Sequence, residues 1–102
     1  MTTLFTVNKS PFERNALATC LTHTSEGDAV LMIEDGVLGA RKGTAFEKTL
    51  RDKRPQCAIY ALGPDLAARG VKAEDLVAGV EIVDYGGFVD LAARNDRVCA
   101  WL

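Results

Sequence analysis

Sulfur is the most reactive chemistry in this sequence. The chain carries three cysteines and a single histidine. A thiol held as its thiolate is a nucleophile, a sulfur carrier or a redox switch. Cys20, Cys57 and Cys99 stand 37 and 42 residues apart. An odd count without a C-x-x-C pair indicates neither a disulfide framework nor a zinc knuckle, so each thiol is either buried filler or individually reactive. His23 follows Cys20 by three residues, where a protonated imidazole on the next helical turn favours a thiolate. Its alternative is plain solvation at a helix end. One histidine and scattered cysteines do not make a metal cage.

Helical geometry leaves the role of Cys20 open. At about 100° per residue counted from Phe12, Ala16 falls near 40°, Cys20 near 80°, Leu17 near 140° and Leu21 near 180°. Cys20 therefore sits in the middle of the apolar arc, the place of a small buried hydrophobe. It also lies about 13 Å along the axis from Pro11, beyond the first turn in which a helix dipole lowers a thiol pKa. Cys57 and Cys99 lie in apolar strand patterns and read as core.

Charged residues offer two further sites. Glu34, Asp35 and Asp84 stand at expected strand ends and could hold Mg²⁺ as a phosphoacceptor domain does, but Asp and Gly are also the usual turn formers. Arg41 to Arg54 holds six of the 12 basic residues against two acids, a local +4 in a chain of net −2. It could dock an acidic protein or a tRNA backbone, or be a solvated helix face with Glu47 and Arg51 spaced i,i+4. No dinucleotide fingerprint, phosphate-binding Walker loop or nucleophile elbow is present.

These residues need elements to hold them, and strand and helix signals alternate along the chain. Leu4 to Val7 reads as a strand. Ser10-Pro11-Phe12-Glu13 opens a helix with a capping box and runs to about Thr24. Ala29 to Ile33 is a continuous apolar strand, closed by the turn Glu34-Asp35-Gly36. A helix from about Thr44 to Lys53 buries Phe46 and Leu50. Cys57 to Leu62 is a third strand, followed by a short helix that Gly70 ends. Leu76 to Val77 suggests a further short helical turn. Val80 to Val83 is a strand, Phe88 to about Arg94 a helix, and Val98 to Trp101 the closing strand. This order predicts one α/β domain over residues 1–102: a three-layer α/β/α sandwich around a mainly parallel sheet of about five strands.

Composition sets the frame. With 102 residues, 48% apolar and 25% charged, the chain has the size and mix of one globular domain. Net charge is too balanced for nucleic-acid binding by the chain as a whole. The longest apolar runs are too short for a bilayer. The start lacks the basic region of a signal peptide, which points to the cytoplasm.

Five blocks then carry a resemblance. Asn8-Lys9-Ser10-Pro11-Phe12, Glu34-Asp35-Gly36-Val37, the run Ala61 to Gly70, the run Val83 to Leu91, and Ala100-Trp101-Leu102 resemble the DsrH/TusB family. They come in the family's order over the whole chain. The resemblance implies a DsrEFH-like fold and a cytoplasmic subunit of a persulfide relay. Such a subunit assembles with DsrE/TusD-like and DsrF/TusC-like chains into a heterohexamer with two copies of each. A DsrC/TusE-like protein accepts the sulfur, and no metal, organic cofactor, membrane or direct nucleic-acid contact is implied. The Asn8 to Phe12 block and the position of Cys20 are closer to the DsrH branch, which serves dissimilatory sulfur oxidation; the TusB branch serves 2-thiouridine formation at the tRNA wobble position. The family's principal cysteine belongs to the DsrE/TusD-like partner. The resemblance therefore makes Cys20 a candidate second persulfide carrier with His23 in support, or leaves the chain as a catalytically silent assembly subunit.

Overall fold

The computed structural model describes residues 2–101; Met1, ahead of the first strand, and Leu102, the last residue of the closing block, lie outside the described residues. Five strands, β1 (Thr3–Val7), β2 (Ala29–Met32), β3 (Ala58–Leu62), β4 (Glu81–Val83) and β5 (Arg97–Trp101), form one sheet in the order β4-β3-β2-β1-β5. Every pairing is parallel. The helices are α1 (Ala16–His23), α2 (Glu47–Lys53), α3 (Gly63–Ala68) and α4 (Tyr85–Arg94), with 3₁₀ segments at Glu34–Ala40 and Ala73–Asp75.

The topology fixes which face each helix covers. From β1 to β4 the chain steps in one direction, so right-handed crossovers lay α1, α2 and α3 on the same face. The return from β4 to β5 runs the other way and puts α4 alone on the opposite face. Strand alternation matches the two sides. Phe5, Val7, Val30, Met32, Ile59 and Ala61 pack with Leu17, Cys20 and Leu21 of α1, Leu50 of α2 and Leu66 of α3. Leu4, Ala29, Leu31 and Leu62 pack with Leu91 of α4. The expected three-layer α/β sandwich is present, with its sheet parallel throughout.

Several boundaries move for local reasons. The first helix begins at Ala16, not near Ser10. The Ser10 carbonyl accepts from the Glu13 and Arg14 amides at 3.1 and 3.0 Å, and the Ser10 hydroxyl accepts from Phe12 N at 3.2 Å. These bonds close a separate turn, and the Glu13 side chain makes none of the described hydrogen bonds, so no capping box forms. Gly39 holds that turn in place: a Cβ there would stand 2.9 Å from Pro11 Cγ and 2.8 Å from Leu17 Cδ2. The second helix begins at Glu47 because the Thr44 hydroxyl and carbonyl close a turn on Phe46 and Glu47.

The stretch expected as a simple turn, Glu34 to Gly36, is the start of a seven-residue 3₁₀ segment that buries Gly36, Val37, Gly39 and Ala40. It lies directly across the end of β1. Ile33 N donates to the Val7 carbonyl at 3.0 Å, and any Cβ at Gly36 would collide with that same carbonyl oxygen. At about three residues per turn this segment carries no α-helical periodicity to read. The turn expected at Leu76 and Val77 lies just earlier, at Ala73–Asp75, with both apolar residues buried behind it.

Candidate functional site

Cys20 lies on the inward side of α1, with 0% of its surface exposed. It belongs to the first-face core together with Phe5, Leu17, Leu21, Val30 and Leu50. Its thiol makes none of the described hydrogen bonds. Burial is the main reason its pKa is pushed up from 9.0 to about 12; negative charge at Cys57, Cys99 and Asp28 would add to the rise. At neutral pH such a thiol is ionised in about one molecule in 10⁵.

All three cysteines belong to this layer. Cys57 stands just ahead of β3, is buried, and directs its thiol at the Lys53 carbonyl, 3.7 Å away. Burial raises its pKa too, against smaller lowering effects from Thr24 and Lys53. Cys99 on β5 is opposite Phe5 in register and half-buried, the most exposed of the three cysteines.

His23 is brought onto the same helix as Cys20 but not against it. Its Nδ1 donates to the Thr19 carbonyl at 2.8 Å, and its ring lies 5.0 Å from the Trp101 ring. Trp101 donates from Nε1 to the Thr19 hydroxyl at 3.1 Å and meets Phe5 edge-on at 5.8 Å. This Trp101–Thr19–His23 cluster ties the last turns of α1 to β5. It turns the imidazole toward solvent, away from the Cys20 side of the helix.

The acidic strand-end residues are occupied by structure. Arg69 pairs with Asp35 at 2.9 Å and reaches Asp65 at 3.9 Å, while the Asp65 carboxylate accepts from Glu34 N at 2.7 Å. These contacts staple the ends of β2 and β3, and they join the Glu34 to Val37 block to the Ala61 to Gly70 block. Asp84 caps α4 by accepting from Gly87 N at 2.8 Å. Among the described residues no group of three His, Cys, Asp or Glu side chains is placed to hold a metal ion.

The opposite face has another character. Five large apolar side chains are exposed among the described residues, and three of them, Tyr85, Val89 and Val98, belong to this face; Ile82, in register with Ala61, points to the first layer, and Phe12 packs on Phe46. At about 100° per residue, Leu91, Phe88, Ala92, Tyr85 and Val89 spread over about 160° of α4, more than one buried stripe requires. Leu91 is buried, Phe88 and Ala92 are half-buried, and the arc ends in solvent with Tyr85 60% and Val89 67% exposed. On β5, Val98 and Ala100 pair with Leu4 and Thr6 in register, so they lie on this face as well, with Val98 51% exposed. Sequence reading missed this surface. The signal was the width of the apolar arc on α4, visible in Tyr85, Phe88, Val89, Leu91 and Ala92 together.

Comparison with known proteins gives a consistent picture. The family profile described as DsrH like protein matches residues 9–98. Protein TusB of Escherichia coli K12 is 34% identical over 98 residues, covering 96% of this chain and 99% of its own. Protein TusB of Photorhabdus laumondii is 35% identical over 101 residues with the same coverage. Among solved structures, the ychN protein of Escherichia coli superposes with a TM-score of 0.82 over 99% of this chain and 100% of its own, at 16% identity. A protein of unknown function from Methanobacterium thermoautotrophicum does so with a TM-score of 0.76 over 97% of each chain, at 18% identity. At such identities the two structures speak to the fold alone.

Proposed function

The chain belongs to the DsrH/TusB family, and from that premise we propose that it is a structural subunit of a sulfur-relay complex, lending surface rather than a carrier thiol. The observation that carries this reading is the seal over Cys20. Persulfide transfer needs a thiolate to attack the outer sulfur of a donor persulfide; the donor leaves as its own thiolate and the acceptor keeps the sulfur. A thiol with no exposed surface and a pKa near 12 meets neither requirement, access nor ionisation.

The open face supports the positive half of the proposal. Tyr85, Val89 and Val98 give an apolar surface of the kind that permanent subunit contacts bury. The natural occupants are the DsrE/TusD-like and DsrF/TusC-like chains, and a heterohexamer with two copies of each is the assembly that the family resemblance suggests. Sulfur then travels on a partner's cysteine to a DsrC/TusE-like acceptor, and this chain shapes the complex that the acceptor meets.

We assign the relay to sulfur oxidation, on the resemblance of the Asn8 to Phe12 block and the position of Cys20 to the DsrH branch. The tRNA-thiolation reading is favoured by the curated relatives that carry the name TusB. Deleting the gene separates them. Loss of growth on reduced sulfur with normal wobble thiolation supports the first reading; loss of 2-thiouridine supports the second. The structural role itself is tested by a Cys20→Ala subunit assembled with its partners. It should relay sulfur at the rate of the unaltered complex, and a collapse of transfer in a correctly assembled complex would refute the role.

A further inference from the structure

The basic segment from Arg41 to Arg54 plays no part in the assembly reading, and the structure gathers its charge on one edge. The segment carries six bases and two acids, a net +4, while the rest of the chain carries six bases and 12 acids, a net −6. Both acids of the segment are used locally: Asp52 pairs with Lys48 at 2.8 Å, and the Glu47 carboxylate accepts from Gly43 N. Arg41, Lys42, Arg51 and Arg54 are exposed, and among the described residues none has a carboxylate within ion-pair distance.

Tertiary contacts bring these four together. Arg41 pairs with Leu76 as an isolated bridge, and Lys42 N donates to the Asp75 carbonyl at 2.7 Å. Three residues beyond Leu76, Gly79 lies beneath Arg54: a Cβ at that position would collide with the guanidinium. The glycine lets Arg54 lie flat on the 75–79 strip, so Arg41 and Arg54 rest on backbone positions no more than about 11 Å apart. Arg51 is about 60° around α2 from Arg54, on the same side. The nearest carboxylate on the strip, Asp75, accepts from Lys72 N at 3.0 Å.

We propose that this edge, formed by Arg41, Lys42, Arg51 and Arg54, is the docking site of an acidic protein that binds transiently. It rests on the relay reading only in taking that visitor to be a protein exchanging sulfur with the complex. A permanent contact is built from apolar area, of which Tyr85, Val89 and Val98 lie on the other face, whereas exposed cations mainly raise the rate of encounter with an oppositely charged surface. Carboxylates fit better than a nucleic acid. The one aromatic ring of the segment, Phe46, is half-buried and packs edge-on against Phe12 at 5.6 Å; Phe12, outside the segment, is the only exposed ring of that pair, so the edge lacks the row of rings on which successive bases stack.

The test is fluorescence anisotropy on the full chain with two labelled probes, a deca-glutamate peptide and a ten-nucleotide single-stranded RNA. The peptide should bind at about 50 mM KCl and release by about 300 mM as the charges are screened. An Arg51→Glu/Arg54→Glu variant should weaken it by about tenfold or more, and Lys42→Glu by less, while Arg97→Glu on β5 leaves it unchanged. No peptide binding, equal binding by the double variant, or tighter binding of the RNA would each overturn the proposal. Peptide binding is read without any sulfur transfer, so failure of the relay reading would leave this result standing, and failure here would leave the relay reading untouched.

Discussion

The two faces of the sheet differ in how they are closed. Over the first, α1, α2, α3 and the 3₁₀ segment Glu34–Ala40 enclose a core in which Val7, Leu17, Cys20, Val30, Met32 and Leu50 have no exposed surface. Over the second, α4 lies alone and leaves Tyr85, Val89 and Val98 in solvent. The difference follows from strand order, since three crossovers fall on one side and one on the other. What it teaches is that the cysteine proposed from sequence as a carrier lies on the closed face, away from the surface that the chain leaves open. The chemistry-bearing residue is on the finished face, and the unfinished face has surface to offer.

Mutations can break this contrast. The largest effect should come from the finished face. Leu17→Ala removes side-chain volume at a site with no exposed surface, and urea unfolding of the chain should show a loss of about 2–5 kcal/mol. Val89→Ala on the open face should change the stability of the free chain by no more than about 0.5 kcal/mol. Equal losses at the two sites would erase the distinction. Association reads the opposite way. A Tyr85→Ser/Val89→Glu variant should fold normally yet fail to co-elute with its partner subunits, with affinity reduced by about 2 kcal/mol or more. Co-elution unchanged would remove the open face from the assembly.

Alkaline titration sharpens the contrast without touching the fold's shape. The folded-state pKa of Cys20 lies above its ordinary value, so the stability it contributes is fully present below pH 9.0 and is lost as pH rises toward about 12. Burial acts in the same direction on Cys57. The unaltered chain should therefore lose stability more steeply over this range than a Cys20→Ala variant. Identical slopes would mean that Cys20 is not sealed in solution. A modest loss belongs to the cap of α4: Asp84→Ala removes the bond to Gly87 N and should cost about 1 kcal/mol, read as a small drop in melting temperature.

Much of the architecture was legible because it rests on local signals. The apolar run Ala29 to Ile33, the stop at Gly70 and the alternation of elements were sufficient for the parallel sandwich. Gly70 does take positive φ, at 69°. What escaped depended on contacts distant in sequence. The Ser10 turn is held by Gly39, and the 3₁₀ segment by the end of β1. At the candidate site the helical wheel had already put Cys20 mid-arc, which is where it lies. The wheel could not show that Trp101, at the other end of the chain, would hold the His23 ring. Asp35 likewise pairs with Arg69, which is 34 residues away. The open face was readable in principle, but an exposed apolar arc becomes evident only once the number of helices covering each side is known.

The most direct measurement is mass spectrometry of the separated subunits after the assembled complex has met a persulfide donor. The account predicts an added sulfur atom on a partner's cysteine and none on this chain, in particular none on Cys20. An added sulfur on Cys20, present while the complex is intact and removed by the acceptor protein, would contradict it.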